Sequence, residues 1–238
     1  MRWTRSINSA TSAQQDRKSN CENRNSAQMD ANLFPIFLKL AGRPCLVVGA
    51  GPVGEAKIKG LIDGGAAVRV VAPRATPAVE RWAMAEEISW FRRSFEPADL
   101  NAVLLVVVAT HSRELNEQIF QEAGQRGILC NAVDDPSHCD FYYPSIARRG
   151  DLQIAISTAG RSPALAQRLR RELEQQLAPE YADWVLRLGR VRRGLFRRDM
   201  DPDRRRGLLH RLASQERFEI FLQRARAREG RESTKHRS

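Results

Sequence analysis

The stretch PCLVVGAGPVGEAKIKGLIDGGAAVRVVAPR, residues 44–74, decides the fold. It opens on a short apolar run, Cys45 to Val48, and passes through a glycine-rich turn. An amphipathic segment from Val53 to Ile62 follows, stopped by Gly64 and Gly65, and the stretch ends on a second β-branched run, Val68 to Ala72. Strand, glycine turn, helix and strand in this order form a βαβ unit, whose strands pair in parallel and whose crossover is right-handed.

Outward from this unit the pattern continues. Further strands are expected at Ile88 to Phe91, Val103 to Ala109 and Ile128 to Val133, with a helix from Arg113 to Gln125. The uninterrupted Val103 to Val108 run suits a strand buried on both faces of a parallel sheet. The fold class is therefore α/β, a doubly wound Rossmann-type parallel sheet over residues 31–140. After Asp140 the character changes: Phe141 to Ala147 and Leu152 to Ser157 read as two strands joined at Arg149-Gly150-Asp151. Ser162 as N-cap and Pro163 at the first helical position open a helix to Leu177, where Ala178-Pro179 breaks it. Helices are also expected at Glu180 to Arg193, Asp203 to Ala213 and Glu216 to Arg228. These segments divide into a strand-plus-helix portion, 141–178, and a helical domain, 179–228. Residues 1–30 and 229–238 are expected to be disordered extensions. The first of these lacks hydrophobic periodicity, and Met29, just before the apolar segment Leu33 to Leu40, is a candidate initiator.

Composition excludes several classes. With 42% apolar and 28% charged residues, 15 glycines and 11 prolines, the chain is an ordinary globular one. Its longest apolar run, Ala102 to Ala109, falls well short of the roughly 18 residues of a spanning helix. Cys21, Cys45, Cys130 and Cys139 lack paired metal spacing and read as thiols of a reducing cytoplasm. The net charge of +11 is unevenly placed: residues 161–238 carry 21 Lys and Arg against 11 Asp and Glu. Such a segment calls for an anionic partner, or it is a solvated helical surface rich in arginine. Its few aromatics, Tyr181, Trp184, Phe196, Phe218 and Phe221, stand mostly at helix-core spacing, which argues against nucleic acid.

The chemistry centres on Gly49-Ala50-Gly51-Pro52-Val53-Gly54, a G-x-G-x-x-G after a strand and at the opening of a helix. Gly49 permits the tight turn, Gly51 lets a pyrophosphate approach the backbone, and Gly54 brings the helix close to the sheet. The helix N-terminus then offers free N–H groups and partial positive charge to the phosphates. The second strand ends Val71-Ala72-Pro73-Arg74 with no acid for a ribose diol, so Arg74 either meets a 2′-phosphate, as in NADP, or is a surface arginine. Asp134, at the end of the Ile128 to Val133 strand, either accepts a proton beside a nicotinamide or caps a turn before Pro136. His138, Cys139 and Asp140 are adjacent and have no second pair at ligand spacing, so no metal site is expected. His111, after the buried strand, reads as a solvated loop residue rather than one lining the pocket mouth.

These residues carry a resemblance. The chain resembles the precorrin-2 dehydrogenase/sirohydrochlorin ferrochelatase family, which includes the N-terminal module of siroheme synthase. The match runs from Phe34-Pro-Ile-Phe37 through the Gly49 turn, Val71-Ala-Pro73, Ala109-Thr110, Asn116 and Asn131-Ala-Val-Asp134. It continues through Cys139-Asp-Phe141, Pro144, Arg149-Gly150, Ile154-Ala-Ile-Ser-Thr158 and Gly160-Arg-Ser-Pro163-Ala-Leu-Ala166. The resemblance implies NAD as cofactor, held by Gly49 to Gly54, Pro73, Arg74 and Thr110. It implies Asp134 as the catalytic group in oxidation of precorrin-2 to sirohydrochlorin and in insertion of Fe2+ to give siroheme. It places substrate binding on Asn131, Ser157, Thr158, Arg161 and Ser162, with a homodimer formed through Phe141 to Leu177. The tetrapyrrole's eight carboxylates would supply the anion that the basic helices call for. Family members commonly have an arginine before the lysine of the first helix, where this chain has Ala56-Lys57. Oxidation alone, feeding siroheme or cobalamin synthesis, remains an alternative, as does a non-catalytic NAD-sensing module.

Overall fold

The computed structural model describes residues 33–235, with side chains through Ala227, and divides the chain into two compact units meeting between Tyr142 and Tyr143. The expectations for residues 1–30, for Met29 as initiator and for Cys21 lie outside the described residues.

The first unit is a five-stranded sheet in the order β3-β2-β1-β4-β5. Its strands are β1 (Pro44–Ala50), β2 (Ala67–Ala75), β3 (Ile88–Phe91), β4 (Leu105–Val108) and β5 (Leu129–Ala132). Every pairing is parallel, with Val48 beside both Val71 and Val108, and Val108 beside Ala132. Helices α1 (Pro52–Asp63), α2 (Pro77–Met84) and α3 (Arg113–Gln125) make the crossovers. Because a strand alternates its side chains, the sheet feeds two cores. Leu46, Val48, Val106 and Val108 pack with Ile119, Phe120 and Ala123 of α3. Cys45, Val47, Val70 and Val107 pack with Ile58 and Leu61 of α1 and Val79 of α2. All four residues of β4 are buried, as its unbroken apolar run predicts.

Helix α2 has no counterpart in the expected elements, although Thr76-Pro77 is an N-cap followed by proline at the first helical position. The Thr76 hydroxyl accepts from the Val79 amide at 3.4 Å. Strand β4 begins at Leu105 rather than Val103, after Ala102 turns the chain at φ 56°.

The second unit pairs β6 (Ser145–Arg149) with β7 (Leu152–Ile156) antiparallel and continues into α4 (Pro163–Gln176), α5 (Tyr181–Phe196), α6 (Pro202–Leu212) and α7 (Gln215–Lys235). Strand β6 starts four residues later than expected, because Cys139 bridges antiparallel to Asn131 and Phe141 is still tied to that strand. Helix α7 continues to Lys235, past the expected end at Arg228. The tight turn at Gly150, φ 56°, brings this glycine against Ala182, where an added Cβ would stand 2.9 Å from the alanine Cβ. Arg149 closes the end of α4, its guanidinium donating to the carbonyls of Leu177, at 3.0 Å, and Glu174. A helix end leaves such carbonyls without intrahelical partners.

An aromatic cluster holds α5 to α7: Tyr181 stacks on Phe218 at 4.0 Å between centroids, and Trp184 lies 5.9 Å from Phe218 and 5.1 Å from Phe221. Trp184 and Phe218 are buried, and Tyr181 and Phe221 are half-buried beside them. Phe196 instead stands exposed, with the guanidinium groups of Arg192 and Arg205 over its ring at 4.7 and 4.3 Å. Among the described residues no helix is long and apolar enough to cross a membrane. Phe218→Ala is expected to lower stability by about 3–5 kcal/mol through loss of a buried aromatic. Urea denaturation followed by tryptophan fluorescence measures it, and a loss under 1 kcal/mol contradicts the packing assignment.

Candidate functional site

The carboxyl ends of β1, β4 and β5 stand level with one another, and β1 and β4 flank the point where the strand order reverses. An open α/β sheet receives ligands outside such a point.

At the end of β1 the three glycines do different work. Gly49 has φ 99°, and a Cβ built there would stand 2.2 Å from the Ala109 carbonyl oxygen. A Cβ at Gly54 would stand 2.2 Å from the Gly49 carbonyl oxygen. Both are places where backbone meets backbone. Gly51 has an ordinary φ of −74°, and nothing lies within 4 Å of its hypothetical Cβ. The space over Gly51 is therefore open, as a diphosphate crossing the turn requires. Ala50 is buried behind it, whereas Pro52 and Val53 are exposed. Gly51 is the N-cap of α1, and the first-turn amides of Val53 and Gly54 precede the i−4 bonding pattern. These residues fit a dinucleotide: two glycines close the floor, the third leaves it accessible, and the helix end supplies donors.

The surrounding segments are held in place. The Thr76 amide donates to the Ala50 carbonyl at 3.1 Å, so the end of β2, with exposed Pro73 and Arg74, curls beside the turn. Across it, the Thr110 hydroxyl donates to Asn116 Oδ1 at 2.5 Å, and Asn116, buried in α3, donates back to the Thr110 carbonyl at 3.5 Å. Thr110 thus belongs to the wall of the same region.

Asp134 stands two residues after the end of β5. It is exposed and has φ 63°, in the left-handed region. Asn131, three residues earlier, is buried, and its amide nitrogen donates to the Phe141 carbonyl at 2.7 Å and to Cys139 Sγ at 3.3 Å. Its two N–H bonds are therefore spent inside the protein, leaving Oδ1 as its remaining polar atom.

The sequence reading assigned no role to Lys57. This lysine stands on α1 three residues after Gly54 and four before Leu61, on the flank of the buried face. Burial pushes its ammonium below the usual lysine range, and the strongest opposing influence is the Asp134 carboxylate. Its flank position beside the Gly54, Ile58 and Leu61 face was the available signal. Burial likewise raises the Cys45 thiol to about 11 and the Cys139 thiol to about 11, and raises Cys130 further.

The remaining expected residues form a group of their own at the start of α4, in the second unit. The Ser157 hydroxyl accepts from the Ala159 amide at 3.1 Å, and Thr158 Oγ1 accepts from the Ser162 amide at 3.1 Å. Ser162 caps the helix by accepting from the Leu165 amide at 3.3 Å, and Arg161 is exposed. Positive φ at Ala159 and Gly160 turns the chain between them. Among the described residues no three His, Cys, Asp or Glu side chains gather into a metal-holding group.

Comparison with known proteins agrees with this geometry. A family model described as putative NAD(P)-binding matches residues 36–145, and one described as the central part of sirohaem biosynthesis proteins matches residues 149–176. Siroheme synthase 1 of Aeromonas salmonicida is 40% identical over 185 residues, which are 78% of this chain and 40% of that protein. Siroheme synthase of Photorhabdus laumondii is 43% identical over 144 residues, 60% of this chain and 31% of that protein. The chain thus spans less than half the length of these curated relatives. Among solved structures, SirC, a precorrin-2 dehydrogenase, superposes with a TM-score of 0.67 at 29% identity, covering 81% of this chain and 98% of that one.

Two outcomes are expected. Gly51→Ala, whose methyl enters the open space, weakens dinucleotide binding at least about tenfold with little change in melting temperature. Gly49→Ala and Gly54→Ala instead lower the melting temperature, because their methyl groups overlap backbone. Calorimetric titration and thermal melts separate the two classes, and equal behaviour of all three contradicts the assignment. Asp134→Asn removes the charge that opposes burial, so the Lys57 pKa falls further below its ordinary value. NMR titration of the lysine side chain reads the direction, and an unchanged or raised value contradicts the proximity.

Proposed function

We propose that this chain, which is similar to siroheme synthases and to the precorrin-2 dehydrogenase SirC, oxidises precorrin-2 to sirohydrochlorin with NAD as acceptor. Insertion of Fe2+ into the product, giving siroheme, is the proposed second step. The observation that carries the reading is that an open glycine turn at Gly51 and an exposed carboxylate at Asp134 both stand at the carboxyl ends of strands in one parallel sheet.

The oxidation removes two hydrogens from the substrate. NAD, when bound, accepts one of them as hydride, and the other leaves as a proton. Asp134 is suited to take that proton as an exposed carboxylate just beyond the end of β5. A positioned base of this kind contributes typically 10²–10⁴-fold. The Gly49 to Gly54 turn holds the diphosphate, Pro73 and Arg74 flank the adenosine end, and Thr110 lines the opposite wall. In the chelation step the same carboxylate collects pyrrole protons as iron enters, and iron is a substrate handled by the macrocycle.

Asn131, Ser157, Thr158, Arg161 and Ser162 are the proposed contacts for the tetrapyrrole. The arginines of α5 and α6 are the proposed partners of its carboxylates. Guanidinium forks bind carboxylates bidentately, and charge-assisted bonds contribute about 1.5–3 kcal/mol each. The protein is proposed to act as a cytoplasmic homodimer, with β6, β7 and α4 at the interface. A two-stranded sheet is marginal by itself, and a second copy supplies further strands.

Asp134→Asn is expected to lower precorrin-2 oxidation by about 100-fold to 10,000-fold while leaving the affinity for NAD unchanged. Anaerobic absorbance kinetics and calorimetric titration measure the two quantities. A variant with near-normal turnover rejects Asp134 as the base.

A further inference from the structure

The segment after Asp134 carries a hydrogen-bonded cluster that neither the dinucleotide nor the proton transfer uses. Asp135 is its centre. Its Oδ2 lies 2.7 Å from His138 Nδ1, and its Oδ1 accepts from the Ser137 hydroxyl at 2.5 Å. The Asp135 amide donates to the Ala132 carbonyl at 3.2 Å, and the Asp135 carbonyl accepts from the His138 amide at 3.0 Å. Cys139 Sγ lies 3.1 Å from the Ala132 carbonyl oxygen and 3.2 Å from that of Asp135. The His138 ring is fixed in turn, edge-on to Phe120 of α3 at 5.1 Å between centroids and 77°. His138 therefore donates Nδ1–H to the Asp135 carboxylate while its ring is wedged against the core.

On the other side of Asp134, Val133 is equally bound. Its amide donates to the Val108 carbonyl at 2.9 Å, and its side chain packs against the core shared with α1. Asp134 is thus a single residue strung between two neighbours that are each hydrogen-bonded to the sheet strands. Its left-handed φ costs of order 1 kcal/mol or more for a residue with a Cβ and persists only where the surroundings over-determine it.

We propose that Asp135 and His138 form a clamp that positions the Asp134 carboxylate for proton transfer, making them positioning residues for the reaction. The inference rests on Asp134 being the proton acceptor. Without the clamp, residues 134–138 relax toward ordinary backbone angles and the carboxylate moves off its line to the substrate. Misplacement by about 1 Å can cost on the order of 100-fold in rate. Burial pushes the Asp135 carboxyl up, but hydrogen bonds from Ser137 and His138 outweigh it and hold the group below the usual carboxylate range.

The test measures kcat, KM and NAD affinity in the full-length protein for D134N, D135A, H138A, H138N and the double variant D135A/H138A. D135A and H138A are each expected to lower kcat about 10- to 100-fold, with NAD affinity within about twofold of the parent. H138N, whose side-chain N–H can replace Nδ1–H, is expected to recover most of the loss. The double variant is expected to be no more than about twofold slower than the worse single variant, since both remove one device. Should D135A not fold, H138A and its rescue by H138N carry the test. If D134N loses activity while folded D135A and H138A keep theirs, or if H138N is no better than H138A, the clamp is wrong. If D134N itself retains turnover, the proton-acceptor reading fails, and the clamp with it.

Discussion

The contact on which the site depends is the packing of the Gly49 backbone against Ala109. With only 2.2 Å between a would-be Cβ and the Ala109 carbonyl oxygen, the backbones at the ends of β1 and β4 stay close with no side chain between them. That closeness lets α1 begin immediately, with Gly54 packed on Gly49 in the same way. The helix N-terminus then stands over the strand ends, and the open space at Gly51 follows from where the helix starts. The turn is thus a packing device before it is a binding device.

A second constraint is electrostatic. A carboxylate at a strand end is readily solvated, whereas a lysine on the buried flank of a helix is not. Burial and Asp134 act on Lys57 in opposite directions, so the two groups are coupled before any ligand arrives. The two groups come from segments on opposite sides of the switch point: Lys57 from the helix after β1, Asp134 from the turn after β5. The Arg-rich helices of the second unit obey a different economy. Phe196, held between Arg192 and Arg205, shows how closely guanidinium groups gather on that surface when aromatic faces separate them.

The first βαβ unit and the parallel character of the sheet were legible because glycine punctuation and hydrophobic period agree at residues 44–74. Helix α3 matches its expected bounds, Arg113 to Gln125, since Ser112 caps it and its apolar spacing is regular. Helix α2 went unread because it is only eight residues long and its signal was a cap, Thr76-Pro77, rather than a period. The start of β6 was misplaced for a tertiary reason: Asn131 ties down Phe141, and no local pattern announces a bond across ten residues. In the site, the glycines and Asp134 were readable as motif and strand end. Lys57 and the Asp135–His138 pair were not, because their roles come from burial and from side chains meeting across a turn. His138 was weighed only as a metal ligand, whereas its ring nitrogen holds a carboxylate.

The central claim is that the glycine turn and Asp134 serve one reaction, and an anaerobic absorbance assay tests it most directly. Freshly generated precorrin-2 is mixed with the protein and NAD, spectra are recorded before and after ferrous iron is added, and a reaction without protein runs in parallel. The account predicts sirohydrochlorin appearing together with NADH, then siroheme forming faster than in the control. Oxidation followed by iron insertion at the control rate would confine the protein to the dehydrogenase step. No oxidation by folded protein that binds NAD would contradict the account.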